Sequence, residues 1–120
     1  MGYYSEVALV LSYYGNDILE KYMDTLDQQT STEVEDFFSD ADVFHYTFGG
    51  ELFFLWKHVK WYDHDPKHAG PYHIAKFLQT VPSGDCLFIR LGDGLEDATT
   101  YGEMWSNPFG VNLLRRIEHD

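Results

Sequence analysis

One cysteine, Cys86, is all this 120-residue chain has, so an internal disulfide is excluded. It sits in an apolar strand pattern, which predicts a small buried residue. That fits a reducing cytoplasm. Basic residues are also scarce: 8 Lys and Arg stand against 20 Asp and Glu, for a formal net charge of −12 and a pI near 4.6. Plain binding to DNA or RNA phosphate is therefore not expected, because that affinity comes from Lys and Arg releasing counterions. Anionic membrane surfaces are disfavoured on the same ground. No apolar run approaches membrane-spanning length. The start of the chain has neither a basic region nor an apolar one of signal-peptide type, so a cytoplasmic location is expected.

Recognised catalytic motifs are missing as well. Ser12, Ser31 and Ser83 lie outside any nucleophile-elbow pattern. Gly92-Asp93-Gly94 is too short for a phosphate loop and reads as a turn. There is no His-Glu-x-x-His and no cysteine pair. No motif implies a cofactor, and a non-enzymatic protein is expected.

What is present is a foldable, aromatic-rich chain. Hydrophobic residues make up 44% and aromatics 18%, enough for one domain over residues 1–120 with a real core. Part of that aromatic surface is free to serve an interface. The stretch from Glu51 to Trp61 is dense in aromatic and branched residues and predicts a long strand, central in a sheet. Gly49-Gly50 before it supplies a hairpin turn from a strand over Asp42–Phe48. Tyr3–Ser12 reads as a first strand, with Val7, Leu9 and Leu11 on one face and Tyr4, Glu6, Ala8 and Val10 on the other. Residues 17–28 predict a helix with Asn16 as N-cap. Thr32 and Glu35 look like the capping box of a second, short helix. Pro71 fits the first turn of a further helix burying Ile74, Phe77, Leu78 and Val81. Cys86–Leu91 is a strand. Leu95–Trp105 is ambiguous, and Val111–Ile117 reads as a short strand or helical turn. The fold class expected from this order is α+β: a ferredoxin-like βαββαβ antiparallel sheet with helices on one face and a C-terminal extension.

Charge is uneven along the chain. Up to Leu55 there are many acids and one base, Lys21. Glu33, Glu35, Asp36, Asp40 and Asp42 form the densest group, and Asp17, Glu20, Asp24 and Asp27 run along the preceding helix. Such a surface is either a solvated helical face or a negative patch that meets a basic partner, at the limit a DNA mimic. Aromatics offer a second surface. Either Phe54, Trp56 and His58 or Phe53, Leu55 and Val59 are expected on the helix-free sheet face, with Tyr4, Tyr46 and Phe88 as neighbours. The C-terminal residues Trp105, Phe109, Leu113 and Leu114, or a second copy of the chain, are expected to cover that face. Tyr46 and Trp56 are the aromatic candidates for partner contact.

Asp63, His64, Asp65, His68 and His73 crowd together, with His45 and His58 on nearby strands. Imidazole and carboxylate bind first-row metals, so His64, Asp65, His68 and His73 are candidate ligands of a metal-binding protein or metal-dependent enzyme. The spacing matches no established signature, and an ordinary surface loop is the competing reading.

The opening Met1–Ala8, the Trp56–Tyr62 segment and the stretch from Phe88–Asp93 to Glu96-Asp97 resemble small acidic proteins of bacteriophages and prophages. The resemblance implies a cytoplasmic accessory protein, and members of that class include inhibitors of host defence of the anti-CRISPR and antirestriction types. The reading that joins these strands is a protein-binding module. It blocks a basic or nucleic-acid-binding site on another protein through Glu33, Glu35, Asp36, Asp40 and Asp42, with Tyr46 and Trp56 in support. It makes no direct contact with nucleic acid or membrane. Besides the metal-binding alternative, a ligand-binding homodimer formed through the sheets is a third reading.

Overall fold

The structure, a computed structural model, describes residues 4–94, 97–113 and 117–120. Strand β1 (Tyr4–Leu11) leads into helices α1 (Tyr13–Asp24) and α2 (Gln28–Ser39). The hairpin β2 (Val43–Tyr46) and β3 (Leu52–Lys60) follows, then α3 (Ala69–Leu78). After it come β4 (Cys86–Leu91), β5 (Ala98–Gly102) and a small pair, β6 (Asn112–Leu113) and β7 (Ile117–Glu118). Five strands form one antiparallel sheet in the order β2-β3-β1-β4-β5. The fold is therefore α+β, and the ambiguous stretch after Gly94 supplies a fifth strand at the β4 edge.

β1, not β3, takes the middle of the sheet. Val7 to Leu11 are all fully buried, because both faces of β1 are covered. Val7, Leu9 and Leu11 join Phe54, Trp56, Phe88, Ile74 and Phe77 in a core roofed by the helices. Ala8 and Val10 join Phe53, Leu55, Leu87 and Ile89 in a second core on the opposite face. Phe109, Val111 and Ile117 close that second core. The C-terminal extension thus covers the helix-free face. Leu113 packs there too, whereas Trp105 is largely exposed. Leu114 lies outside the described residues, as does Tyr3.

Neither aromatic set expected on the helix-free face lies there whole. The β1–β3 register pairs Ser5 with Val59 but Val7 with Trp56, so β3 carries one extra residue, a β-bulge. The bulge changes the alternation: Phe54, Trp56 and Val59 share the helix side. His58 turns the other way and stacks on Tyr4 at 3.8 Å. Asp42 holds this irregularity, its carboxylate accepting a hydrogen bond from the Lys57 amide at 2.7 Å.

Both helix starts lie upstream of where the sequence pattern puts them. Ser12, not Asn16, caps α1, its hydroxyl accepting from the Gly15 amide at 2.9 Å. Ser12 is fixed in turn by Asp85, through its hydroxyl (2.8 Å) and its amide (3.0 Å). Gly15 reads as a breaker but is helical; a Cβ there would sit 2.4 Å from the Asp85 carbonyl oxygen. Asp27, not Thr32, caps α2, accepting from the Thr30 amide at 2.7 Å. That bond holds the Asp27 carboxyl below the usual range. The hairpin between β2 and β3 forms as expected, with Gly50 at φ +83°.

Candidate docking surface

Helix α2 distributes the acidic group according to helical spacing. Residues three and seven apart share a face, while residues two apart do not. Glu33, Asp36 and Asp40 accordingly line a cleft of about 320 Å3 toward α3, together with Lys60 and Lys67. Those lysines offset part of the local negative charge. Glu35 lies on the other flank of α2. Asp42 bonds the bulge in β3. All five carboxylate residues are exposed, but they do not make one continuous patch.

A more coherent acidic site forms between α1 and α2. Glu20 and Asp24 from α1 and Glu35 from α2 line a cleft of about 590 Å3 whose apolar lining is Leu19, Met23 and Phe38. No base lines it among the described residues. Glu20 and Asp24 are four apart, so they share one face of α1. The sequence puts both on that helix without marking them as parts of one site. The signal was available in their spacing; the proximity of Glu35 was not.

The apolar part of this cleft continues to the sheet edge through a chain of rings. Phe38 lies 4.8 Å from Phe54, Phe54 lies 4.9 Å from Phe44, and Phe44 lies 5.9 Å from Tyr46. Phe44 is 49% and Tyr46 70% exposed, and Phe48 in the hairpin turn is fully exposed. Tyr13, at the start of α1 beside Gly50, is exposed as well. Exposed aromatics gathered at one place mark interaction surfaces more reliably than scattered ones. Among the described residues β2 pairs only with β3, which leaves its outer edge open to bond a partner through backbone groups.

Tyr46 stands at the surface, but beside Phe44 and Phe54 on the helix side of the sheet and not on the helix-free face where the sequence reading puts it. Trp56 does not reach the surface. It is 3% exposed, stacks on Phe37 at 4.8 Å and donates its indole N–H to the Phe37 carbonyl at 3.0 Å. Its place on the helix side of the sheet makes it a core residue, and this corrects the expectation that it meets a partner.

The histidine-aspartate loop disperses its candidates. His64 is exposed and 3.8 Å from Asp63. Asp65 accepts from the Lys67 amide at 3.0 Å. The His68 ring lies 4.9 Å from Tyr62. His73 turns toward α1, with Nδ1 2.7 Å from the Tyr22 hydroxyl. Burial, with Lys76 nearby, pulls the His73 pKa below its ordinary value. Among the described residues, no group of three or more His, Cys, Asp or Glu side chains converges as a metal site. Cys86 is buried, and desolvation pushes its thiol up to about 12, well away from nucleophilic readiness.

No described helix is long and apolar enough to cross a membrane. Comparison of the chain with protein-family models, with curated proteins and with solved structures gave no match.

Proposed function

We propose that this protein is a non-enzymatic binding module that docks onto the basic surface of another protein. Its docking surface is the acid-walled α1–α2 cleft together with the aromatic β2 edge. The observation that carries this is the continuity between the two. Glu20, Asp24 and Glu35 surround an apolar cleft, and Phe38 and Phe54 connect that cleft to exposed Phe44 and Tyr46. The arrangement suits a basic amphipathic segment: apolar side chains enter the cleft while Lys or Arg meets its rim. Rim charges set on-rate and selectivity, and the aromatic contacts hold the complex once formed. The domain is read as a ferredoxin-like βαββαβ core with β5 added at its edge, supported by helices on one face and by the order of β1 to β4. The resemblance to phage proteins points to a host defence factor as the partner, its nucleic-acid groove blocked by this surface.

The test is capture from bacterial lysate, followed by titration of the purified partner in rising salt. A partner with a basic surface is expected, with an affinity that falls as salt screens the rim. A Glu20→Lys/Asp24→Lys/Glu35→Lys variant should lose about tenfold or more, since exposed charge pairs contribute about 0.2–1 kcal/mol each. Tyr46→Ala should raise the dissociation rate. Unchanged binding by a triple variant with wild-type circular dichroism would sink the proposal, and so would a partner indifferent to both changes.

A further inference from the structure

At the sheet edge away from β2, a pocket of about 220 Å3 is lined by α3, β4 and β5 residues. Three aromatic rings from three parts of the chain line it: Trp61 just past β3, Phe88 of β4 and Tyr101 of β5. Phe88 and Tyr101 are cross-strand partners. The Trp61 ring lies 5.5 Å from Phe88 at 39°, so these two walls meet at an angle. Tyr101 is pinned by its hydroxyl, which donates to the Val81 carbonyl at 3.2 Å. Ala75 and Leu78 of α3 add apolar lining.

Among the described residues that line this pocket, Asp63 is the only charged one; Gln79 and Thr99 are neutral. Arg90 reaches Thr99, but its guanidinium is already paired with Asp97. A cation held within about 6 Å of aromatic faces is attracted by their quadrupoles, and more strongly when desolvated. An anion would meet Asp63 and a chain of net charge −12. A primary ammonium is strongly hydrated and loses that hydration on entering apolar walls. A methylated ammonium presents apolar methyl groups and a diffuse positive charge, so it uses both the rings and the carboxylate. The pocket is smaller than the roughly 300–1,000 Å3 typical for drug-sized ligands, which suits a head group.

We propose that this pocket binds a methylated ammonium group, delivered either by a free small molecule or by a trimethylated lysine side chain. The pocket lies at the β4–β5 edge of the sheet, whereas the docking surface reaches the β2 edge.

The experiment is an NMR titration of 15N-labelled protein with choline, with a trimethyllysine tripeptide and with 3,3-dimethylbutan-1-ol, the neutral carbon counterpart of choline. The Trp61 indole resonance is identified by its loss in Trp61→Phe; those of Trp56 and Trp105 serve as internal controls. A saturable shift at Trp61 is expected with a cation, and the neutral alcohol should bind about tenfold more weakly. Exposed Asp63→Asn should weaken cation binding about threefold and leave the alcohol unchanged. Tighter binding of the tripeptide would identify the side-chain source, and tighter binding of choline the free small molecule. Equal binding of choline and the alcohol would overturn the proposal, as would an Asp63→Asn variant that binds choline unchanged or the absence of any saturable shift at Trp61.

Discussion

Asn107 holds the C-terminal cover in place, and replacing one of its atoms tests how that cover works. Its side chain makes four hydrogen bonds to backbone groups of one loop. Nδ2 donates to the carbonyls of Met104 and Val111, both at 2.8 Å. Oδ1 accepts from the amides of Phe109 (3.1 Å) and Val111 (3.0 Å). The loop so fixed delivers Phe109 and Val111 onto the sheet, where Phe109 lies 5.6 Å from Phe53. Asn107→Asp keeps the acceptor and converts the donor into a second acceptor facing two carbonyl oxygens. Two bonds at about 1 kcal/mol each are lost, and the abandoned carbonyls add to the cost, for about 2–4 kcal/mol in this half-buried setting. For a chain of this length that lowers Tm by about 8–16 °C, at about 4 °C per kcal/mol. The assay is urea unfolding followed by circular dichroism, repeated between pH 7 and pH 4. Protonating the new carboxyl restores a donor, so the folded state favours its protonated form and raises its pKa. The group therefore destabilises most at neutral pH, and the deficit against wild type narrows as pH falls. A deficit below about 1 kcal/mol at pH 7 would refute this account of the loop, as would one that widens in acid.

Gly70→Ala in α3 sets two effects against each other. Alanine favours a helix over glycine by about 1 kcal/mol, but its Cβ would lie 2.3 Å from the Phe37 ring, which is stacked on Trp56. Steric crowding wins, with a net loss of about 1–3 kcal/mol in urea unfolding; a gain in stability would show that α2 and α3 are not closely packed. His73 makes stability depend on pH near neutrality. Burial lowers its folded pKa from the ordinary 6.5, with Lys76 adding to the shift and Asp27 opposing it. The folded protein therefore binds the proton less readily than the unfolded chain, and stability falls as pH drops through the ordinary histidine range. His73→Gln should flatten that part of the curve, and an unchanged curve would remove His73 from the account.

Several elements were legible because their signals are local. Alternation marked the two faces of β1, which the structure divides between the helix-side and C-terminal cores. Helical spacing marked Ile74, Phe77 and Leu78 as the buried face of α3. Glycine pairs marked the β2–β3 turn, and the apolar run from Cys86 to Leu91 marked β4. Helix starts were harder. Ser12 becomes a cap partly because Asp85, 73 residues away, binds it, and nothing near Ser12 in the chain carries that information.

The sequence by itself determined the two faces of β1, the buried stripe of α3, the β2–β3 turn and the acidic first half, since period, turn chemistry and charge are properties of neighbouring residues. Tertiary structure decided the rest. A bulge, bonded by Asp42, sent Trp56 and Val59 to one side and His58 to the other. The placement of α1 and α2 along one cleft brought Glu20, Asp24 and Glu35 together while leaving Glu33, Asp36 and Asp40 beside lysines. The C-terminal segment, fastened through Asn107, took the helix-free face. Each of these depends on which distant segments meet and in what register. A chain apolar on both sides of its central strands does not state which segment will cover each face; closest packing and satisfaction of backbone hydrogen bonds settle it.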